Sequence, residues 1–243
     1  MNGDLLGTLA AASAAAFALA WLSAVAGFGG GVLLLPVFTA LFGLRAAVPM
    51  LTLTQLASNG ARVWFNRRDL NWPLVGWFAL GAVPCAVAGG LLLAHAPLGP
   101  LKRLLGGFLI AVVLWRRINP HPRRPADRTF AGVGAASGLG SALLGSVGPL
   151  TAPFFLAYGL TRAAYIGTEA ASALVMHTSK IAAYGAGNLL TRTVLLYGAA
   201  LTPATLLGAW AGKKVVGRIS DRLFVTLVEA GLVAAGVLFL LGF

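Results

Sequence analysis

Apolar residues fill this chain in long runs, and short polar, glycine-rich or proline-rich points interrupt them at regular intervals. The runs cover 5–26, 31–44, 46–65, 72–94 and 98–115 in the first half, and 129–145, 148–161, 163–186, 192–212 and 220–242 in the second. Runs of about 20 residues match the helix length that crosses a hydrocarbon core of about 30 Å. The second run of each half is shorter, and the 14 residues from 31 to 44 reach only about 21 Å as a helix. The pattern predicts an all-α polytopic membrane protein with about eight transmembrane helices plus two short broken or re-entrant segments.

The punctuation repeats. Gly27-Phe28-Gly29-Gly30-Gly31, followed by Pro36, returns in altered form as Gly145-Ser146-Val147-Gly148-Pro149, followed by Pro153. Pro36 and Pro153, and likewise Arg45-Ala46-Ala47 and Arg162-Ala163-Ala164, stand 117 positions apart in a chain of 243. The expected organisation is a membrane repeat over 1–115, a linker over 116–128 and a second repeat over 129–243. If the short segment of each half crosses, each half makes five crossings and the second copy is inverted. Breaks at matching positions of two membrane halves are the mark of a transporter.

Composition removes other function classes. The chain is 58% hydrophobic and 10% charged, with a mean hydropathy of +0.86, which leaves little room for a soluble catalytic or receptor domain. Its 18 Lys and Arg against 6 acids lie in short loops, where they set topology, and no basic cluster is interleaved with stacking aromatics as nucleic-acid binding requires. The linker, with five arginines, three prolines and one aspartate, is read as cytoplasmic, as are the loops around Arg67 and Lys213. Met1 to Asp4 carry no basic residue, so residues 5–26 are read as a membrane helix rather than a signal peptide. Cys85 is the single cysteine and reads as a core thiol. No metal-ligand cluster and no cofactor motif is visible, and the sequence is silent on oligomeric state.

Two polar stripes interrupt the apolar background. Thr52, Gln55, Ser58, Asn59 and Arg62 recur at helical spacing in the third segment, and Glu169, Ser172, Met176 and Lys180 do so in the eighth, with Thr168 and His177 beside them. Ionisable groups at membrane depth face a protein interior or a transport path. Lys180 either attracts an anion or snorkels to the interface. Glu169 either binds a coupling proton or neutralises Arg162 or a helix end, and about 16 Å of helix separates it from Lys180. His177 is a relay or an ordinary hydrogen-bonded interior residue. Arg45 and Arg162 read as interfacial anchors. Gly29, Gly30, Gly31 and Gly148 either expose backbone N–H groups at helix starts, where anions bind, or serve close helix packing. Pro36 and Pro153 join Glu169 and His177 as coupling or gating candidates. Ser141 and Ser146 read as packing residues.

On the run from Gly27 to Pro36, the Gly43-Leu44-Arg45-Ala46-Ala47 turn and the stretch from Gly145 to Lys180, the chain resembles the sulfite exporter TauE/SafE family of small bacterial permeases. It departs from the family's pattern in the second half, where the glycine run is poorer. The resemblance implies movement of a small sulfur-containing anion such as sulfite, thiosulfate or an organosulfonate across the bacterial inner membrane, driven by an ion gradient. Gly29–Gly31, Gln55, Asn59, Gly148, Ser172 and Lys180 are then the substrate-binding candidates. The alternatives are an intramembrane hydrolase of a lipid phosphate, using Glu169, Ser172 and His177, and a non-transporting subunit of a membrane complex.

Overall fold

The structure, a computed structural model, describes residues 2–26, 30–95, 98–119, 124–145, 148–215, 220, 226, 230, 233, 236–237 and 240–241. Among these there is no strand. Nine helices follow in order: α1 (Asn2–Ala26), α2 (Gly30–Phe42), α3 (Leu44–Phe65), α4 (Trp72–His95), α5 (Leu98–Ile118), α6 (Thr129–Leu144), α7 (Gly148–Ala157), α8 (Arg162–Ala186) and α9 (Arg192–Val215). Each begins and ends close to an apolar run read from the sequence. The run 220–242 lies largely outside the described residues; its Gly236 meets α5, where a Cβ on Gly106 would stand 2.7 Å from the Gly236 carbonyl oxygen.

The interior combines an apolar core, with Leu34, Phe38, Leu51, Phe78 and Phe155 among its members, and a set of buried polar residues. Thr52, Gln55, Ser58, Asn59, Arg62, Glu169, Ser172, His177 and Lys180 are buried, whereas Leu80, Leu92, Leu196, Leu207 and Trp210 are exposed. Large apolar side chains on the outside and polar ones within suit a lipid surround. By length and composition, Trp72–Leu93 and Arg192–Val215 are the described segments that meet the criteria for a membrane span. The polar stripes lower the apolar content of α3 and α8, which the rest of the bundle encloses.

Helix directions follow from the contacts. α1 and α9 run parallel, since Gly208 abuts the Phe17 carbonyl and Gly212, further along, the Trp21 carbonyl. α4 and α6 also run parallel, through Gly134 on the Phe78 carbonyl and Gly138, further along, on the Ala82 carbonyl. Such approaches leave no room for a Cβ, the usual means of close helix association where lipid supplies no hydrophobic drive. α3 and α8 run antiparallel: Arg62 bonds Glu169 at one end, while at the other Lys180 bonds the Gly145 carbonyl, beside Leu51. α8 packs also on α4, and α3 on α9.

The short helices double back. The Tyr158 hydroxyl just after α7 donates to Asp127 Oδ1 just before α6, at 2.8 Å, and Trp115 stacks on Phe154 at 5.7 Å. α6 and α7 thus form a hairpin whose bend lies at Gly145. With 10 residues, α7 is about 15 Å long.

A paired substitution tests the close approach. Gly134→Ala places a methyl into the Phe78 carbonyl and is expected to lower stability by about 1–3 kcal/mol as an overpacked contact. Gly132→Ala, on the same helix with nothing within 4 Å of its added Cβ, is expected to leave stability unchanged or raise it by up to about 1 kcal/mol. Thermal unfolding of both purified variants in detergent measures the difference.

Candidate functional site

The site is built on α3 and α8, whose polar faces meet inside the bundle. At one end, Arg62 Nη2 donates to Glu169 Oε2 at 2.7 Å and Arg62 Nη1 donates to Asn59 Oδ1 at 2.9 Å. Arg62 and Glu169 are 4% and 6% exposed. Beside them the Asn71 N–H donates to Thr168 Oγ1 at 2.9 Å, so two adjacent residues of α8 hold the end of α3 and the loop after it. Burying two charges is costly unless each is paired and hydrogen-bonded, and here each is.

At the other end, Lys180 is fully buried. Its Nζ donates to Ser141 Oγ at 2.9 Å and to the Gly145 carbonyl at 3.0 Å. Ser141 in turn reaches the same carbonyl at 3.3 Å, and the Tyr184 hydroxyl donates to the Ala142 carbonyl at 2.8 Å. The last turn of a helix leaves its carbonyls unpaired and carries negative dipole charge. Lys180 and Tyr184 supply donors to the broken end of α6, where Gly145 turns at φ 83°. Two of the three ammonium N–H donors have these partners, which leaves one for a further acceptor.

The first break is met from the other end of α8. Arg162 Nη2 reaches the Val25 carbonyl, in the last turn of α1, at 3.4 Å. Arg162 and Lys180 lie about 27 Å apart along a straight helix, so one helix carries a cation to the end of α1 and another to the end of α6. Between them, Ser172 Oγ and His177 Nδ1 are buried and make no hydrogen bond among the described residues. Such atoms point to a missing partner, because burial without one costs about 1–3 kcal/mol.

The expectations fare unevenly. Gln55, Asn59, Ser172, Glu169, His177 and Lys180 come to one buried seam. Gly31 is buried, Gly30 begins α2 and Gly148 begins α7, half-buried, while Gly29 lies outside the described residues. Pro36 sits half-buried within α2, and Pro153 falls within α7 with its side chain outside the description. Snorkelling by Lys180 is ruled out by its complete burial. Glu169 pairs with Arg62 rather than with Arg162, and Arg162 serves the end of α1 instead of acting only as an anchor. Ser141, read as packing, is a direct partner of Lys180, and Arg62, noted only as part of a stripe, is the partner of Glu169. The Arg62 pairing had a signal, since an arginine on a buried polar face needs an acid, and Glu169 is the acid of the opposite stripe. Ser141 had none, because its role depends on where α6 ends in space. Of the residues of the hydrolase alternative, Glu169 is held by Arg62, and Ser172 Oγ and His177 Nδ1 make no hydrogen bond among the described residues.

The profile of the family "Sulfite exporter TauE/SafE" matches residues 12–239. The chain belongs to that family. It is accordingly a membrane transport protein, a permease, and the buried seam is read as a transporter's interior. No curated protein and no solved structure gives a significant match.

The buried pair carries a stability prediction. Arg62→Met or Glu169→Gln leaves one charge buried without its partner, and each is expected to cost about 3–5 kcal/mol. The double variant, which removes both charges, is expected to cost clearly less than the sum of the two. A double-mutant cycle on thermal unfolding in detergent checks this.

Proposed function

We propose that this chain moves a small sulfur-containing anion, such as sulfite, thiosulfate or an organosulfonate, across the bacterial inner membrane by ion-gradient-driven alternating access between two inverted halves. The observation that carries this reading is α8 itself: it sends Arg162 to the end of α1 and Lys180 to the end of α6, and lays its polar face along that of α3.

Support for the inversion comes from the pairings. Exchanging α1 with α6, α2 with α7, α3 with α8 and α4 with α9 turns α1·α9 packing into α4·α6 packing, α3·α9 into α4·α8, and α2·α3 into α7·α8. The α3·α8 pair maps onto itself with its directions opposed, as a two-fold axis in the membrane plane requires. Glycines with positive φ, Gly43 and Gly159, follow α2 and α7 alike. On this reading α2 and α7 are short crossing segments, and each half makes five crossings, the odd number that inversion requires. Orientation follows from charge and aromatic residues: Arg67 over Trp64, Lys213 over Phe65 and Lys214 over Trp210 crowd one end of the bundle, the cytoplasmic one by the basic-loop rule.

The anion is held at the seam. The remaining N–H of Lys180, the buried hydroxyl of Ser172 and the ring of His177 supply polar contacts, with Gln55 and Asn59 from the facing helix. The N-termini of α2 and α7, at Gly30 and Gly148, add backbone N–H groups. Glu169, the one buried acid among the described residues, is the candidate for the coupling cation, and rocking of one half on the other exchanges its partners.

Counterflow of sulfite or ethanesulfonate in proteoliposomes tests the reading. Lys180→Met is expected to lower the rate by about tenfold or more, the worth of a charge-assisted hydrogen bond of ~1.5–3 kcal/mol. Unchanged counterflow in a folded Lys180→Met protein would remove Lys180 from the path. Topology is checked separately: in a Cys85→Ser background, a cysteine at Asn188 is expected to react with an impermeant maleimide from outside and one at Asp127 only from inside.

A further inference from the structure

Beyond the seam, α1, α3, α8 and α9 enclose a cavity of about 280 Å³. Arg62, Arg162 and Lys213 line it, together with Asn66, Phe65 and Ile166. We infer that this cavity is a second anion-binding site, the inner docking position from which the transported anion reaches the seam; this rests on the permease reading above.

Three positive charges share a space that holds about nine waters at about 30 Å³ each. Glu169 offsets the charge of Arg62, so the exposed Arg162 and Lys213 leave the space with a positive excess that a bound anion offsets. Each cation is held in place by something other than solvent. Lys213 stands over the Phe65 ring at 4.5 Å, Arg162 reaches the Val25 carbonyl, and Arg62 is fixed by Glu169 and Asn59. This is a preformed arrangement, so little ordering opposes binding. The remaining wall is apolar, formed by Phe65, Ile166 and small alanines, and accepts a compact anion with a short apolar body beside its charged group.

Arg62 gives the cavity its link to transport. The same guanidinium lines the cavity and binds Glu169 and Asn59 of the seam. An oxyanion in the cavity competes with Glu169 for those N–H donors. The Arg62–Glu169 pair is then the floor of the docking site and the bar across the way to Ser172 and Lys180. Loading the cavity loosens it.

The test uses purified full-length protein in neutral detergent, titrated with sulfite and with ethanesulfonate, with thermal stabilisation as the readout. Lys180→Met protein, which lacks the central cation, is expected to lose the seam's share of this stabilisation and keep the share that the cavity supplies. Adding Lys213→Gln or Arg162→Gln to it is expected to raise the apparent dissociation constant about tenfold each, and added chloride to weaken binding further. Lys213→Gln is the safer of the two, because that side chain lies exposed at the cavity mouth over the Phe65 ring. Unchanged anion binding in both variants, with counterflow intact in the unsubstituted protein, overturns the cavity site and leaves the permease standing. Anion binding that depends on Arg162 and Lys213, with no counterflow in the unsubstituted protein, removes the permease reading and keeps the cavity as an anion site. Loss of copurifying phosphatidylglycerol in the variants, with sulfite and ethanesulfonate binding unchanged, overturns the proposal in favour of a lipid headgroup.

Discussion

The cost of placing charge inside an apolar bundle governs this structure. Arg62, Glu169 and Lys180 are all buried, and none is tolerable there without close partners. The solution is two clusters at opposite ends of one antiparallel helix pair. Arg62 and Glu169 satisfy each other across the seam, and Lys180 is satisfied by the broken end of α6. The positions of α3, α8 and α6 are fixed by these requirements, and the small residues of α1, α4, α6 and α9 bring the surrounding helices close enough to seal the clusters from lipid.

A break in a membrane helix raises the same difficulty in backbone form, because its last carbonyls lose their partners where water is absent. α8 resolves it at both ends with side chains. Lys180 and Tyr184 serve α6, and Arg162 serves α1. These cations neutralise helix ends, and on the proposed function they also bring positive charge to the path of the anion. Structural necessity and transport chemistry thus draw on the same residues, and a substitution at one of them changes both. Ser172 and His177 differ: their buried polar atoms make no hydrogen bond among the described residues, so they serve a ligand or a second conformation better than they serve this one.

The two halves share a frame and have divided its contents. Arg45 and Arg162 stand 117 positions apart in matching triplets and both are exposed, and it is Arg162 that reaches the end of α1. The acid, the histidine and the lysine of the seam all belong to α8, and α3 answers with amides, hydroxyls and one arginine. An interface between non-identical faces has no reason to sit midway between two states.

By itself the sequence determined the helices, because the length of an apolar run and the residues that break it are local properties. It also carried the repeated spacing of Pro and Arg-Ala-Ala, the two polar faces and the family resemblance, all of which are matters of spacing. Tertiary structure decided the partners. Glu169 has several arginines available in the sequence, and only the antiparallel register of α3 and α8 selects Arg62. Lys180 reads equally well as a snorkelling residue or a site residue until the end of α6 is placed beside it. Ser141 carries no sign of its role, since that role exists only where two helices from separate parts of the chain meet. Periodicity tells which residues share a face, but a buried charge is satisfied by geometry across helices, and that is settled only when they pack.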